Sequence, residues 1–219
     1  MNIISLTDLH GKTPNIAGIL RQNDPVDLIL LTGDITHFGT KLKAKKILAE
    51  FQKTGIPVLA VSGNCDFKGV NTFLNELHVG IHGTHHSTGS VSILGLGGSL
   101  PGPAPTPNEY SEEELRQFLD EAYAQIPNDQ PLLLVSHQPP FGTLNDSLAN
   151  GMHVGSHSVR QFIEKVEPLV CFTGHIHEGK GIDFIGKTCI INPGPASQGG
   201  YGWVRMDEDG VHAEIRELT

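Results

Sequence analysis

Leu28-Ile29-Leu30-Leu31-Thr32-Gly33-Asp34 decides the fold: an unbroken apolar run that ends on a glycine and a carboxylate. A short apolar run closed by a turn signal reads as a strand buried on both faces, as in a parallel sheet. A carboxylate inside such a strand is costly, because an unpaired buried charge is. At the C-terminal mouth of the strand it meets the crevice where open α/β sheets bind ligands. Gly33 permits a turn there without a Cβ clash. Asp34 is therefore expected on the rim of a parallel sheet, facing a cleft, as a ligand shared by two metal ions.

On the N-terminal side, residues 2–7 form the first strand and run into Thr7-Asp8-Leu9-His10-Gly11. Side chains two apart in an extended segment share a face, which puts Asp8 and His10 together. Pro14 suits the first turn of a helix, with Ile16, Ile19 and Leu20 inward. On the C-terminal side, Ala44, Ile47, Leu48 and Phe51 mark an amphipathic helix over 40–53. Residues 58–61 are the third strand, ending in Ser62-Gly63-Asn64-Cys65-Asp66. These are two successive βαβ units, whose crossovers are right-handed.

A helix near 69–77 and a strand over 90–96 come next, then a stiff loop with Pro101, Pro103, Pro105 and Pro107 at alternate positions, edging the cleft. Ser111 and Glu114 form a capping box before the helix of Leu115, Phe118, Leu119, Ala122 and Ile126. Residues 132–135 are a buried strand ending in Ser136-His137, and a polar loop covers 141–157. Ser158 opens the next helix, and the strand 169–172 ends in Thr173-Gly174-His175-Ile176-His177. The tail, 182–217, reads as successive hairpins with Asn192-Pro193-Gly194 and Asp209-Gly210 as turns. The whole chain, 1–219, is expected to be a single domain.

The net charge of −9 disfavours a general nucleic-acid groove. Three scattered cysteines, with no CxxC pair, suit a reducing compartment rather than a disulfide framework. No stretch approaches the roughly 18 apolar residues of a membrane helix, and the chain opens on a strand without a leader pattern. The expectation is a cytoplasmic protein with no membrane partner. An exposed edge strand in the tail allows a homodimer without demanding one.

Five strand ends deliver Asp8 and His10, Asp34, Asn64, His137, and His175 and His177 to one rim. Imidazole and carboxylate ligands suit Mn, Fe, Zn or Co, of which Mn is favoured here. A pair of divalent ions keeps the site cationic against its two carboxylates, and so draws in phosphate.

The order Asp-x-His, Gly-Asp, Gly-Asn-x-Asp, His, Gly-His-x-His resembles the calcineurin-like metallophosphoesterase superfamily, in its small uncapped bacterial and archaeal form. The resemblance implies an α/β fold, a four-layer α/β/β/α sandwich of two mixed sheets flanked by helices. It implies Asp8, His10, Asp34 and His177 on one metal, and Asp34, Asn64, His137 and His175 on the other. The reaction it implies is in-line attack on phosphorus by a hydroxide held between the ions, with Asp34 and Asn64 catalytic and charge stabilised on the phosphoryl oxygens.

Many members carry His where this chain has Cys65, and there it assists at the reacting phosphate. A thiol replaces it poorly, being a weak donor with an ordinary pKa near 8.5. Cys65 reads either as a filler or as the mark of an enzyme for phosphodiesters and activated esters, whose leaving groups need little protonation. Asp66 either orients Asn64 and the metal shell or caps the following helix. His37 and His153 are candidate substrate contacts, set against a plain loop role; Arg160 is either a phosphate contact or a structural ion pair. Phe38, Phe67 and Phe141 line a pocket or join the core, and His78, His82, His85, His86 and His212 are expected at the surface. The function expected is hydrolysis of a small phosphate ester, a phosphodiester first. A phosphomonoesterase or nucleotide pyrophosphatase is the alternative within enzymes, and a protein-binding scaffold of the same fold the alternative outside them.

Overall fold

The apolar runs alternate between two interiors. In the computed structural model, which describes residues 1–127 and 130–218, β1 (Asn2–Leu6), β2 (Leu28–Thr32) and β3 (Val58–Val61) lie parallel in one sheet. Ile29 and Leu31 of β2 face a core shared with the helices α1 (Ile16–Asn23), α2 (Lys41–Gln52) and α3 (Lys68–Glu76), while Leu28 and Leu30 face the second sheet. Side chains on a strand alternate between faces, so a strand covered on both sides is apolar at every position.

The second sheet holds β4 (Thr84–Ser87), β5 (Ser92–Leu96), β6 (Leu132–Ser136), β7 (Val170–Phe172), β8 (Gly181–Ile185) and β9 (Thr188–Asn192), in the order β4-β5-β6-β7-β9-β8. Leu133 and Val135 of β6 join the core between the sheets; Leu132 and Leu134 join an outer core with α4 (Glu112–Tyr123) and α5 (His157–Val166). Three cores between four layers make the α/β/β/α sandwich, and both sheets are mixed.

The tail does not form one run of hairpins. β8 and β9 pair in the second sheet, whereas β10 (Gly200–Asp207) and β11 (Gly210–Glu217) pair in the first, with β10 antiparallel to β1. Asn192-Pro193-Gly194 is thus the start of the passage between sheets, not a hairpin turn. Asn192 accepts from Gly194 N at 2.9 Å and donates its amide to Ile176 O at 2.9 Å, pinning the His175–His177 turn.

Helix starts also shift. Asn15 caps α1 through Gly18 N, leaving Pro14 outside the helix. Ser156 caps α5, and Glu112 accepts from His157 N and Ser158 N, so the helix begins before Ser158. The capping box of Ser111 and Glu114 forms as expected. No helix among the described residues is long and apolar enough to cross a membrane.

Candidate metal centre

The turns after β1, β2, β3, β6 and β7 meet where the two sheets abut. Asp8 N donates to Gly33 O at 3.2 Å and His10 N to Asp34 O at 2.9 Å, locking the first two turns together. Asp8, His10, Asp34 and His175 all take left-handed φ, at 54°, 47°, 49° and 66°. Each such non-glycine residue costs on the order of 1–3 kcal/mol and persists only where surrounding structure enforces it. Asp8 and His10 therefore converge through a turn, not through the extended segment expected. Gly33 is left-handed too, at φ 95°, and a Cβ there would lie 2.2 Å from His137 Nδ1. At Gly63 a Cβ would lie 2.0 Å from Asp34 Oδ1. The glycine before each ligand leaves room for a ligand from another strand.

His137 is fully buried, with Nδ1 2.7 Å from Thr32 O. A carbonyl only accepts, so Nδ1 carries the proton and Nε2 presents its lone pair. That lone pair faces Asn64 Oδ1 at 3.0 Å and Asp34 Oδ1 at 3.5 Å, while the Asn64 amide nitrogen turns 3.7 Å from the Cys65 sulfur. Acceptors gathered without a donor between them repel one another, and a divalent cation among them removes the repulsion.

A second group adjoins it. His10 Nε2 and His177 Nε2 lie 3.2 Å apart, with Asp8 Oδ1 3.8 Å and 3.4 Å from them. Two nitrogens each about 2.0–2.1 Å from one ion stand about 3.0–3.4 Å apart. Asp8 Oδ1 is buried with no hydrogen-bond partner, and so is His10 Nδ1. Asp34 turns Oδ1 to His137 and Oδ2, at 3.8 Å, to His10. Ligand atoms of Asp8, His10 and His177, and of Asp8, Asp34 and His137, thus form two adjoining sets that fit metal ions. The His175 ring stands beside that of His137, centroids 5.3 Å apart, but joins neither set.

Burial pushes Asp34 up to about 7, and the neighbouring Asp8 and Asp66 carboxylates add to it against His137. Burial also acts on Asp8, yet the nearby His177 and His137 and the Thr7 hydroxyl hold it at about 2. Burial lowers His10, and lowers His175 to about 3, so both rings are neutral and available as ligands.

Asp66 is a brace. Its carboxylate accepts from Ile35 N (3.0 Å), Thr36 N (2.8 Å), Thr36 Oγ1 (2.7 Å) and Gly63 N (2.9 Å), tying the turn after β2 to the turn after β3. It does not cap α3, whose N-cap is Phe67. Cys65 N donates to Asp34 Oδ1 at 2.8 Å, and burial followed by the Asp34 charge pushes its thiol well up. That thiol is neither a thiolate nucleophile nor a ready acid. Cys65 and His37 do adjoin His10, all three ligand atoms lying within 4.8 Å of one another.

His153 is engaged elsewhere. Its Nδ1 lies 2.7 Å from Asp146 Oδ1, and Asp146, fully buried, also accepts from Gly142 N, Thr143 N and Gly155 N. The ring thereby helps fold the 141–157 loop. Arg160 Nη1 donates to Phe141 O at 2.9 Å and Nε to Glu164, a structural use. Phe38 and Phe67 are each 45% exposed. His82 is half-buried, not superficial: it stacks on Tyr110, and Nδ1 accepts from Gly97 N at 2.9 Å.

Three residues that the sequence did not single out complete the site. Thr7 Oγ1 donates to Asp8 Oδ2 at 2.7 Å. Asn108 N donates to Asn64 O at 3.2 Å. Gln138 is buried behind His137, between two loops. Thr7 and Gln138 adjoin ligand motifs in the chain, a usable signal; Asn108 has none, since it reaches the site from a distant loop.

The family profile described as calcineurin-like phosphoesterase matches residues 1–179. The chain belongs to that family. An uncharacterised protein of Methanocaldococcus jannaschii is 40% identical over 90% of this chain and 89% of its own length. A probable cyclic nucleotide phosphodiesterase of Rhodopseudomonas palustris is 28% identical over 65% of this chain and 59% of its own length. The crystal structure of TT1561 of Thermus thermophilus superposes with a TM-score of 0.76 at 18% identity, covering 100% of this chain and 99% of that one, which shows a shared fold.

Proposed function

We propose that this protein hydrolyses a small phosphodiester with two divalent ions, manganese the first to supply. Asp8, His10 and His177 with Asp34 would hold one, and Asp34, Asn64 and His137 would hold the other. His175 backs the second, its backbone N–H holding Asp8 Oδ2 at 3.1 Å. The observation that carries this reading is the His137 Nε2 lone pair facing two other acceptors, Asn64 Oδ1 at 3.0 Å and Asp34 Oδ1 at 3.5 Å, the latter also accepting from Cys65 N. Divalent ions bound there supply positive charge for the phosphoryl oxygens and acidify a water.

The chain's own residues position this chemistry. Thr32 O holds the His137 tautomer, Thr7 and His175 N hold Asp8, and Asp66 fixes the turns that carry Asp34 and Asn64. Leaving-group protonation is the weak point: the buried Cys65 thiol gives up its proton poorly. General-acid help of roughly 10²–10⁴-fold is then missing, which penalises alkyl monoesters and spares esters of acidic alcohols. The relative named a probable cyclic nucleotide phosphodiesterase supports the diester reading.

The test is initial rates on bis(4-nitrophenyl) phosphate and 4-nitrophenyl phosphate with Mn, beside Asp34→Asn. Diester turnover above monoester turnover, lost in the variant, is expected. A monoester preference overturns the Cys65 reasoning. Turnover that survives in Asp34→Asn overturns the metal site, and absence of both metal binding and turnover favours a scaffold.

A further inference from the structure

A cleft of about 430 Å³ opens beside the metal centre, reaching Asn64 and His175 at its floor. One wall is the proline loop, at Leu100, Pro101 and Pro103; the other is the 141–157 loop, at Leu148 and Val154. The volume falls within the roughly 300–1,000 Å³ of small-molecule sites. We infer that this cleft seats the organic group of the ester, an uncharged flat ring such as an aryl group or a nucleobase, and that Gln138 sets its width. The inference rests on the phosphodiesterase reading for the identity of the reaction, not for the binding.

Both walls are tied to the ligand turns. Gln138, next to His137 in the chain, accepts from Leu100 N at 3.0 Å and donates to Val154 O at 3.0 Å, joining wall to wall. Asn108 closes the base of the proline loop. Its amide donates to Ser62 Oγ at 3.1 Å and Gly63 O at 3.0 Å, and its N–H to Asn64 O. The proline wall therefore keeps a set distance from Asn64, and prolines keep it stiff.

Charge decides the class of occupant. Glu109 is the lining carboxylate, and its Oε1 accepts from Thr106 N and Oγ1. The described lining contains no Lys or Arg. A second phosphate or another anionic tail finds no counter-charge there, whereas a ring finds proline faces, Leu148 and Val154. This favours diesters with one ring-bearing alcohol over nucleoside pyrophosphates.

The experiment compares phenyl and methyl 4-nitrophenyl phosphate, which share a leaving group and a charge, on the Mn-loaded protein, its Leu148→Lys variant and its Gln138→Ala variant. Calorimetric binding of phenylphosphonate and methylphosphonate and metal content by atomic absorption accompany it. The phenyl ester is expected to show a KM lower by about tenfold or more, from the apolar area its ring buries. Leu148→Lys should erase most of that ratio in KM and in phosphonate binding. Gln138→Ala should narrow it through KM rather than kcat, with metal content retained. Equal KM and equal binding for phenyl and methyl ligands overturn the inference even where both esters are hydrolysed. So does a ring preference that survives Leu148→Lys. Ring-selective binding lost in Leu148→Lys, without turnover of either ester, keeps the cleft and removes the phosphodiesterase reading instead.

Discussion

The turns of the first sheet and those of the second build the centre by opposite means. After β1, β2 and β3 the chain delivers both carboxylates, Asp8 and Asp34, with the His10 imidazole, all three with left-handed φ, and Asn64. After β6 and β7 it delivers imidazoles: His137, His175 and His177. The carboxylate half is strained, and Asp34 is raised there by burial first and by the Asp8 and Asp66 charges after it. Each half fixes the other. His137 points because Thr32 of the first sheet accepts its Nδ1 proton, and Asp8 points because His175 N of the second sheet donates to it. The candidate sets that include Asp8 and Asp34 draw on both halves and meet at the seam, whereas His10, His37 and Cys65 come together within the first.

The sharpest way to break this arrangement is Gly63→Ala. Its Cβ would sit 2.0 Å from Asp34 Oδ1 and 2.2 Å from Asp34 N, and backbone cannot swing aside. Loss of both metal sets should lower kcat/KM by several kcal/mol of barrier, or roughly 10³-fold, with an overpacking penalty of about 1–3 kcal/mol in urea unfolding. Full metal content with near-normal rates in this variant would show that the two turns are not tightly registered.

Two milder substitutions separate charge from support within the first half. Asp66→Asn puts an amide NH₂ against backbone donors, and should cost about 1–3 kcal/mol of stability and 10–100-fold in metal affinity, read by chelator competition. Thr7→Val removes one donor from Asp8 at nearly constant shape; it should weaken metal binding by about 10–100-fold with little change in unfolding. Equal destabilisation by both would mean that Thr7 supports the fold rather than Asp8.

The smallest effect sharpens the contrast from the second half, which also holds a purely structural imidazole. Burial lowers His82 to about 4, with Gly97 N donating to its Nδ1. Between pH 6.5 and 4 the unfolded chain takes up a proton that folded His82 refuses, so its contribution to stability is full above pH 6.5 and is lost as pH falls toward 4. That amounts to about 2 kcal/mol at pH 5. His82→Gln, which keeps an acceptor, should flatten the difference between urea unfolding at pH 7 and pH 5. An unchanged slope would place the proton uptake on another group.

Asp8, His10, Asp34, His137 and His177, which the fold brings together, were legible in sequence because each follows the end of an apolar run, a purely local pattern; His175 was read the same way, yet its ring joins neither set. Local reading went wrong where a residue's partner lies far along the chain: His82 looks superficial until Tyr110 and Phe118 close over it. For His153 the loop role is the reading that its bond to nearby Asp146 supports. Of the two readings of Asp66 the cap fails, while the four donors that converge on it from two turns agree with its orienting Asn64.

By itself, then, the sequence determined the succession of strands and helices in the first βαβαβ half, the types of the candidate ligands and the end of the strands from which they emerge. Hydrophobic period and turn chemistry are written within a few residues. The second sheet's place came only through the family resemblance. Tertiary structure alone decided that the two tail hairpins part to different sheets, that Asp8, His10 and Asp34 are wound left-handed, and that Gln138 and Asn108 fasten the cleft to the ligands. Each of these depends on hydrogen bonds and packing between segments distant in the chain, and no local pattern encodes which distant partner a backbone group will meet.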